Sequence, residues 1–84
     1  MSQSLEPYIK ITVETFRDHQ TGKVRVRPVR GEIHPDTMNV ECARSVRYEH
    51  PVGTKFRITA KLTDRDGSKP FLYSHHSWSM QVVK

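Results

Sequence analysis

The sequence predicts an all-β domain: a small five-stranded barrel or a strongly bent antiparallel sheet, with one short helical turn. Three observations lead there. Apolar and polar residues alternate with a period of two in several runs. Clusters of Gly, Pro, Asp and His separate those runs at short intervals. The chain has 84 residues, enough for one domain, and five strands of that length leave exposed edges unless the sheet curls.

Residues 1–6 read as a flexible leader, set off by Pro7 from a single domain over residues 7–84. Ile9, Ile11 and Val13 alternate with Lys10, Thr12 and Glu14 and predict a half-buried strand over 8–17. Residues 18–22 form a hairpin loop in which Gly22 supplies the positive φ. Val24 and Val26 alternate with Lys23, Arg25 and Arg27 until Pro28, which cannot donate to a ladder and marks an edge or a bulge. Gly31 and His34-Pro35-Asp36 make the next turn.

Residues 37–49 fit two periods: Met38, Val40 and Cys42 alternate as in a strand, while Met38, Cys42 and Val46 lie one helical turn apart. The reading adopted is a strand over 38–42 and a helical turn over 43–49, ended by Pro51. Phe56, Ile58, Ala60 and Leu62 alternate with Lys55, Arg57, Thr59 and Lys61, the clearest strand, over 54–63. A turn at 64–67 leads to a last strand over 70–83, which bends near Ser77 because its apolar residues change face. A helical link between strands three and four suits an OB-like barrel; an SH3-like barrel places its turn one strand later. The strand order stays open.

No stretch approaches the roughly 18 apolar residues of a membrane span. The N-terminus lacks the basic-then-apolar pattern of a signal peptide. The single cysteine, Cys42, forms no internal disulfide and fits a reducing compartment. A cytoplasmic protein is therefore expected, with no membrane partner.

Catalytic patterns are missing. The histidines are scattered or, at His75 and His76, adjacent, which in a strand sends them to opposite faces. A metal would have to be gathered from distant residues such as His34, Asp36 and Cys42. Cys42 lies on the apolar side of its segment and reads as structural. Asp64 and Asp66 fit turn chemistry. The expectation is a non-enzymatic module without metal or cofactor.

Net charge is +5, from 14 basic and 9 acidic residues, which favours polyanionic partners, nucleic acid first. Lys23, Arg25, Arg27 and Arg30, with Lys55, Arg57 and Lys61, make a cationic stripe if their strands are neighbours. The segment Phe71-Leu72-Tyr73-Ser74-His75-His76-Ser77-Trp78 adds rings of the kind on which single-stranded bases stack. Arg25, Arg27, Arg30, Arg57 and Lys61 are the candidate phosphate contacts, and Tyr73 and His75 the candidate stacking platforms. Strand alternation puts His76 and Trp78 on the other face, where they would line a small-molecule pocket at the barrel mouth. A third reading is an adaptor that self-associates as a homodimer or docks on a protein partner, through the edge near Pro28 or the faces around Phe16 and Phe71.

Tyr48-Glu49-His50-Pro51-Val52-Gly53-Thr54-Lys55-Phe56, Leu62-Thr63-Asp64-Arg65-Asp66-Gly67, Phe71-Leu72-Tyr73-Ser74 and Trp78 together resemble small uncharacterised bacterial proteins of mobile integron gene cassettes. The resemblance covers residues 42–78. It implies no activity and no catalytic residues.

Overall fold

A computed structural model describes residues 8–63, 69–75 and 77–83. In chain order the elements are β1 (Ile9–Arg17), β2 (Val24–Pro28), β3 (Val40–Glu41), α1 (Arg44–Tyr48), β4 (Lys55–Thr63), β5 (Phe71–Tyr73) and β6 (Met80–Val83). The fold is all-β, a nearly closed small barrel with one helical turn. The expected leader and the turn at 64–67 lie outside the described residues.

Curvature comes from β1. Its first half pairs antiparallel with β4, from Ile9 opposite Ala60 to Glu14 opposite Lys55. Its second half pairs antiparallel with β2, from Val13 opposite Pro28 to Arg17 opposite Val24. One long strand thus joins both walls of the sheet, whose path runs β2-β1-β4-β5-β3. The ends of that path approach each other where Arg25 on β2 donates to Asn39 Oδ1 beside β3, 3.0 Å away. The helical turn falls between the third and fourth strands, as in the OB-like alternative.

Period-two alternation sends Ile11, Val13, Val26, Phe56, Ile58, Ala60 and Leu72 inward, where they form one core with Val40 and Val46. Thr15 is buried among them, and its Oγ1 accepts from the Gly53 N–H at 3.0 Å. Gly53 sits at φ 97°, a left-handed conformation that a side chain resists. That bond ties the turn before β4 to the middle of β1.

Two expectations need correction. The sheet is not purely antiparallel, because β3 runs parallel to β5. The strand over 38–42 is only two residues long. The Met38 N–H is spent on a turn to the Pro35 carbonyl, and Arg44 already begins the helix, so only Val40 and Glu41 reach β5. Helix α1 lies within the expected 43–49 and has no side-chain N-cap bond. A five-residue helix is unstable alone; buried Val46 anchors this one.

The expected last strand divides into β5 and β6, and both lie along the same flank of β4. Lys61 pairs with Tyr73, and Ile58 pairs with Met80. Three steps along β4 therefore face seven along its partner, and four residues are surplus. They fall between Tyr73 and Met80, at the bend the sequence places near Ser77.

Candidate nucleic-acid interface

The strands carrying the predicted cations are not neighbours: β1 separates β2 from β4. Its outward residues include Thr12, Glu14 and Phe16, and these meet the arginines on both sides. Arg27 donates to Glu14 Oε2 at 2.9 Å and lies 4.4 Å from the Phe16 ring centre. Arg57 donates to Thr12 Oγ1 at 3.0 Å and to Glu32 Oε2 at 3.2 Å. The same Glu32 oxygen accepts from the Thr12 backbone N–H at 2.7 Å. Arg25 bonds Asp18 Oδ2 at 3.2 Å as well as Asn39.

The stripe is thus three cations interleaved with Asp18, Glu14 and Glu32. Its guanidinium groups are half exposed, so the pairs are screened and each contributes little to stability. They do offset the local charge. The Asp18 carboxyl is held below the usual carboxylate range, chiefly by the hydrogen bond from the Gln20 N–H and then by Arg25. Arg30 stands exposed in the turn after β2.

The aromatic half of the prediction assembles differently. Lys61 and Tyr73 are directly opposed, on the outward face because their neighbours Leu62 and Leu72 face in. Tyr8, immediately before β1, lies on the other side of Lys61, whose Nζ is 5.1 Å from the Tyr8 ring centre. The surplus residues after Tyr73 fold into a turn, with the Trp78 N–H bonded to the His75 carbonyl at 2.9 Å. His75 Nδ1 accepts from the Ser77 N–H at 3.1 Å and lies 2.8 Å from Ser77 Oγ. These local bonds set the turn and bring Trp78 back over the sheet.

Trp78 meets Tyr8 edge-on at 4.9 Å and Tyr73 edge-on at 5.7 Å between ring centres, and His75 lies 5.9 Å away. Edge-to-face contacts suit the ring quadrupoles and leave ring faces uncovered. Tyr8 is 57% exposed, Tyr73 37%, and Trp78 is half buried. Trp78 therefore joins the Tyr73–His75 face and does not oppose it, because strand alternation stops at Tyr73 and a turn takes over. His76, the other residue expected in a pocket lining, lies outside the described residues.

Lys61, Tyr73, His75 and Trp78 are brought together; Arg25, Arg27 and Arg57 are spread along β1 and paired. Tyr8 was missed by sequence reasoning. Its signal was the β1 alternation extended one step outward, since Tyr8, Lys10 and Thr12 share a parity. The counter-ions Glu14, Glu32 and Asp18 were missed too, and only the register of Glu14 between Arg27 and Lys55 could have shown them.

Cys42 is half buried against the core, and burial pushes its thiol up to about 11 although Arg47 works the other way. Such a thiol is a poor nucleophile at neutral pH. Among the described residues, His, Cys, Asp and Glu do not gather in any group of three that could hold a metal ion. No helix among them is long and apolar enough to cross a membrane. Protein families, characterised proteins and solved structures contain no match to this chain, so the likeness of residues 42–78 to integron-cassette proteins stands on pattern alone.

Proposed function

We propose that this barrel is a non-enzymatic binding module that takes single-stranded nucleic acid on its outward ring cluster. One observation carries the reading: Tyr8, Tyr73, His75 and Trp78 share one exposed face with Lys61 among them. Unpaired bases stack on such faces whatever their identity, at roughly 1–3 kcal/mol per base. Duplex bases present no free face. Lys61 and exposed Lys10 lie beside the rings as phosphate partners.

By analogy of fold, OB-like barrels bind through the β2–β3 face. Here Arg25 on that side is already engaged with Asp18 and Asn39, so the ring cluster is the stronger surface. Arg25, Arg27 and Arg57 supply a background attraction weakened by their carboxylates, and Arg30 an unpaired one.

Trp78 is the sole tryptophan and reports on the site directly. The test is titration with oligo-dT, a single-stranded RNA, duplex DNA and heparin, at low and at physiological salt. Single strands should quench Trp78, raise the anisotropy of labelled oligonucleotides and remain bound at physiological salt. Equal binding of heparin, or loss of all binding at physiological salt, would reduce the cluster to a solvated surface.

A further inference from the structure

Strand β6 carries the core pattern beyond the core. Val82 lies opposite Phe56 and Met80 opposite Ile58, and cross-strand partners share a face. Phe56 and Ile58 are 0% and 1% exposed, yet Met80 and Val82 are 37% and 44% exposed. Two apolar side chains thus sit on the inner face with nothing over them.

The backbone of β6 is half used as well. The Thr59 N–H bonds the Ser79 carbonyl, so residues 79, 81 and 83 direct their main-chain groups at β4. Met80 and Val82 turn theirs to the opposite edge, where no strand among the described residues pairs. The other free flank, β2, is guarded by Arg25, Arg27 and Pro28. β6 reads Met-Gln-Val-Val and carries neither charge nor proline.

We propose that β6 pairs antiparallel with β6 of a second copy of this chain, about a two-fold axis at Gln81. In that register each Met80 faces the other copy's Val82. Their free N–H and C=O groups form four hydrogen bonds, and four apolar side chains close over the inner face. Gln81 meets its own image on the outer face, polar against polar. A slip of one residue would oppose inner and outer side chains, so the pleat selects this register. The second copy is the occupant because the strand is its own complement. It is neutral, so no like charges meet, and one symmetric pairing satisfies both edges at once. A four-residue contact lies below the roughly 1,200 Å² of a stable interface, and the dimer is accordingly a weak one.

The test is sedimentation equilibrium of the full chain from about 10 μM to about 1 mM, at an ionic strength near 0.15 M. The weight-average mass should rise from 9.8 kDa toward twice that value. Val82→Lys, at an already exposed site, should raise the dimer dissociation constant at least about tenfold with the circular dichroism unchanged. Independently, Gln81→Cys on a Cys42→Ala background should cross-link under mild oxidation, since Cα atoms in such a pair lie about 4.5 Å apart. Val83→Cys should not, because its two copies would stand about 13 Å apart. A single 9.8 kDa species at 1 mM, or Val83→Cys cross-linking as fast as Gln81→Cys, overturns the proposal.

Discussion

Removing Trp78 separates a binding platform from a core residue. Trp78 holds its place through edge contacts to Tyr8 and Tyr73, at 4.9 and 5.7 Å. Each such pair contributes about 0.5–1.5 kcal/mol, so Trp78→Ala should destabilise the fold by about 1–3 kcal/mol. Leu72 is the comparison. It is 0% exposed in the centre of the core, and Leu→Ala at such a site removes about 2–5 kcal/mol. Trp78→Ala should therefore unfold at a higher urea midpoint than Leu72→Ala, followed by far-UV circular dichroism because the fluorophore is gone. Binding should move the other way. Loss of one stacking partner at 1–3 kcal/mol weakens single-strand affinity about 5- to 150-fold, while Leu72→Ala, measured where it is folded, should bind as the parent does. Trp78→Phe keeps a ring and should recover most of the affinity. If Trp78→Ala is as destabilising as Leu72→Ala, or stays folded and binds oligo-dT unchanged, then the tryptophan serves the core and the reading fails.

Other substitutions probe the paired arginines and the two perturbed groups. Glu14→Gln and Glu32→Gln each free one guanidinium and should steepen the salt dependence of polyanion binding, by up to about 0.7 in logarithmic slope per freed charge on single strands; unchanged slopes would mean that the pairs never masked the stripe. Asp18 titrates below its ordinary value, so the stability it lends is present above the unfolded carboxylate range and disappears as pH falls through the lowered value. The stability difference between the parent and Asp18→Asn should accordingly shrink on acidification, and a constant difference down to pH 2 contradicts the assignment. Cys42, raised from 9.0 to about 11, has a thiolate fraction near pH 8 about 100-fold below that of a free thiol. Iodoacetamide should label it slower by that order, and labelling at the peptide rate would show an open site. Because its folded value is the higher one, Cys42 contributes stability that is complete below pH 9.0 and is lost as pH rises toward 11. Cys42→Ala should remove that alkaline slope in urea titrations.

The sequence by itself determined whatever depends on local period and on residues that forbid alternatives. Alternation in β1, β2 and β4 marks the core residues one by one, because a strand has only two faces and one of them must be dry. Gly22 and Pro28 stand at the hairpin loop and at the unprotected flank for reasons of backbone chemistry alone. The helical turn before Pro51 was legible for the same reason.

Only the tertiary structure decided who stands beside whom. Period says nothing of strand order, so the placing of β1 between two cationic strands, and the pairing of their arginines with Glu14, Glu32 and Asp18, were invisible. The parallel contact of β3 with β5 joins residues more than thirty apart in the chain and leaves no local mark. Trp78 was assigned the wrong face because alternation was carried past Tyr73. The four surplus residues show only when the two registers along β4 are compared, since one turn cancels the parity that a strand would have kept.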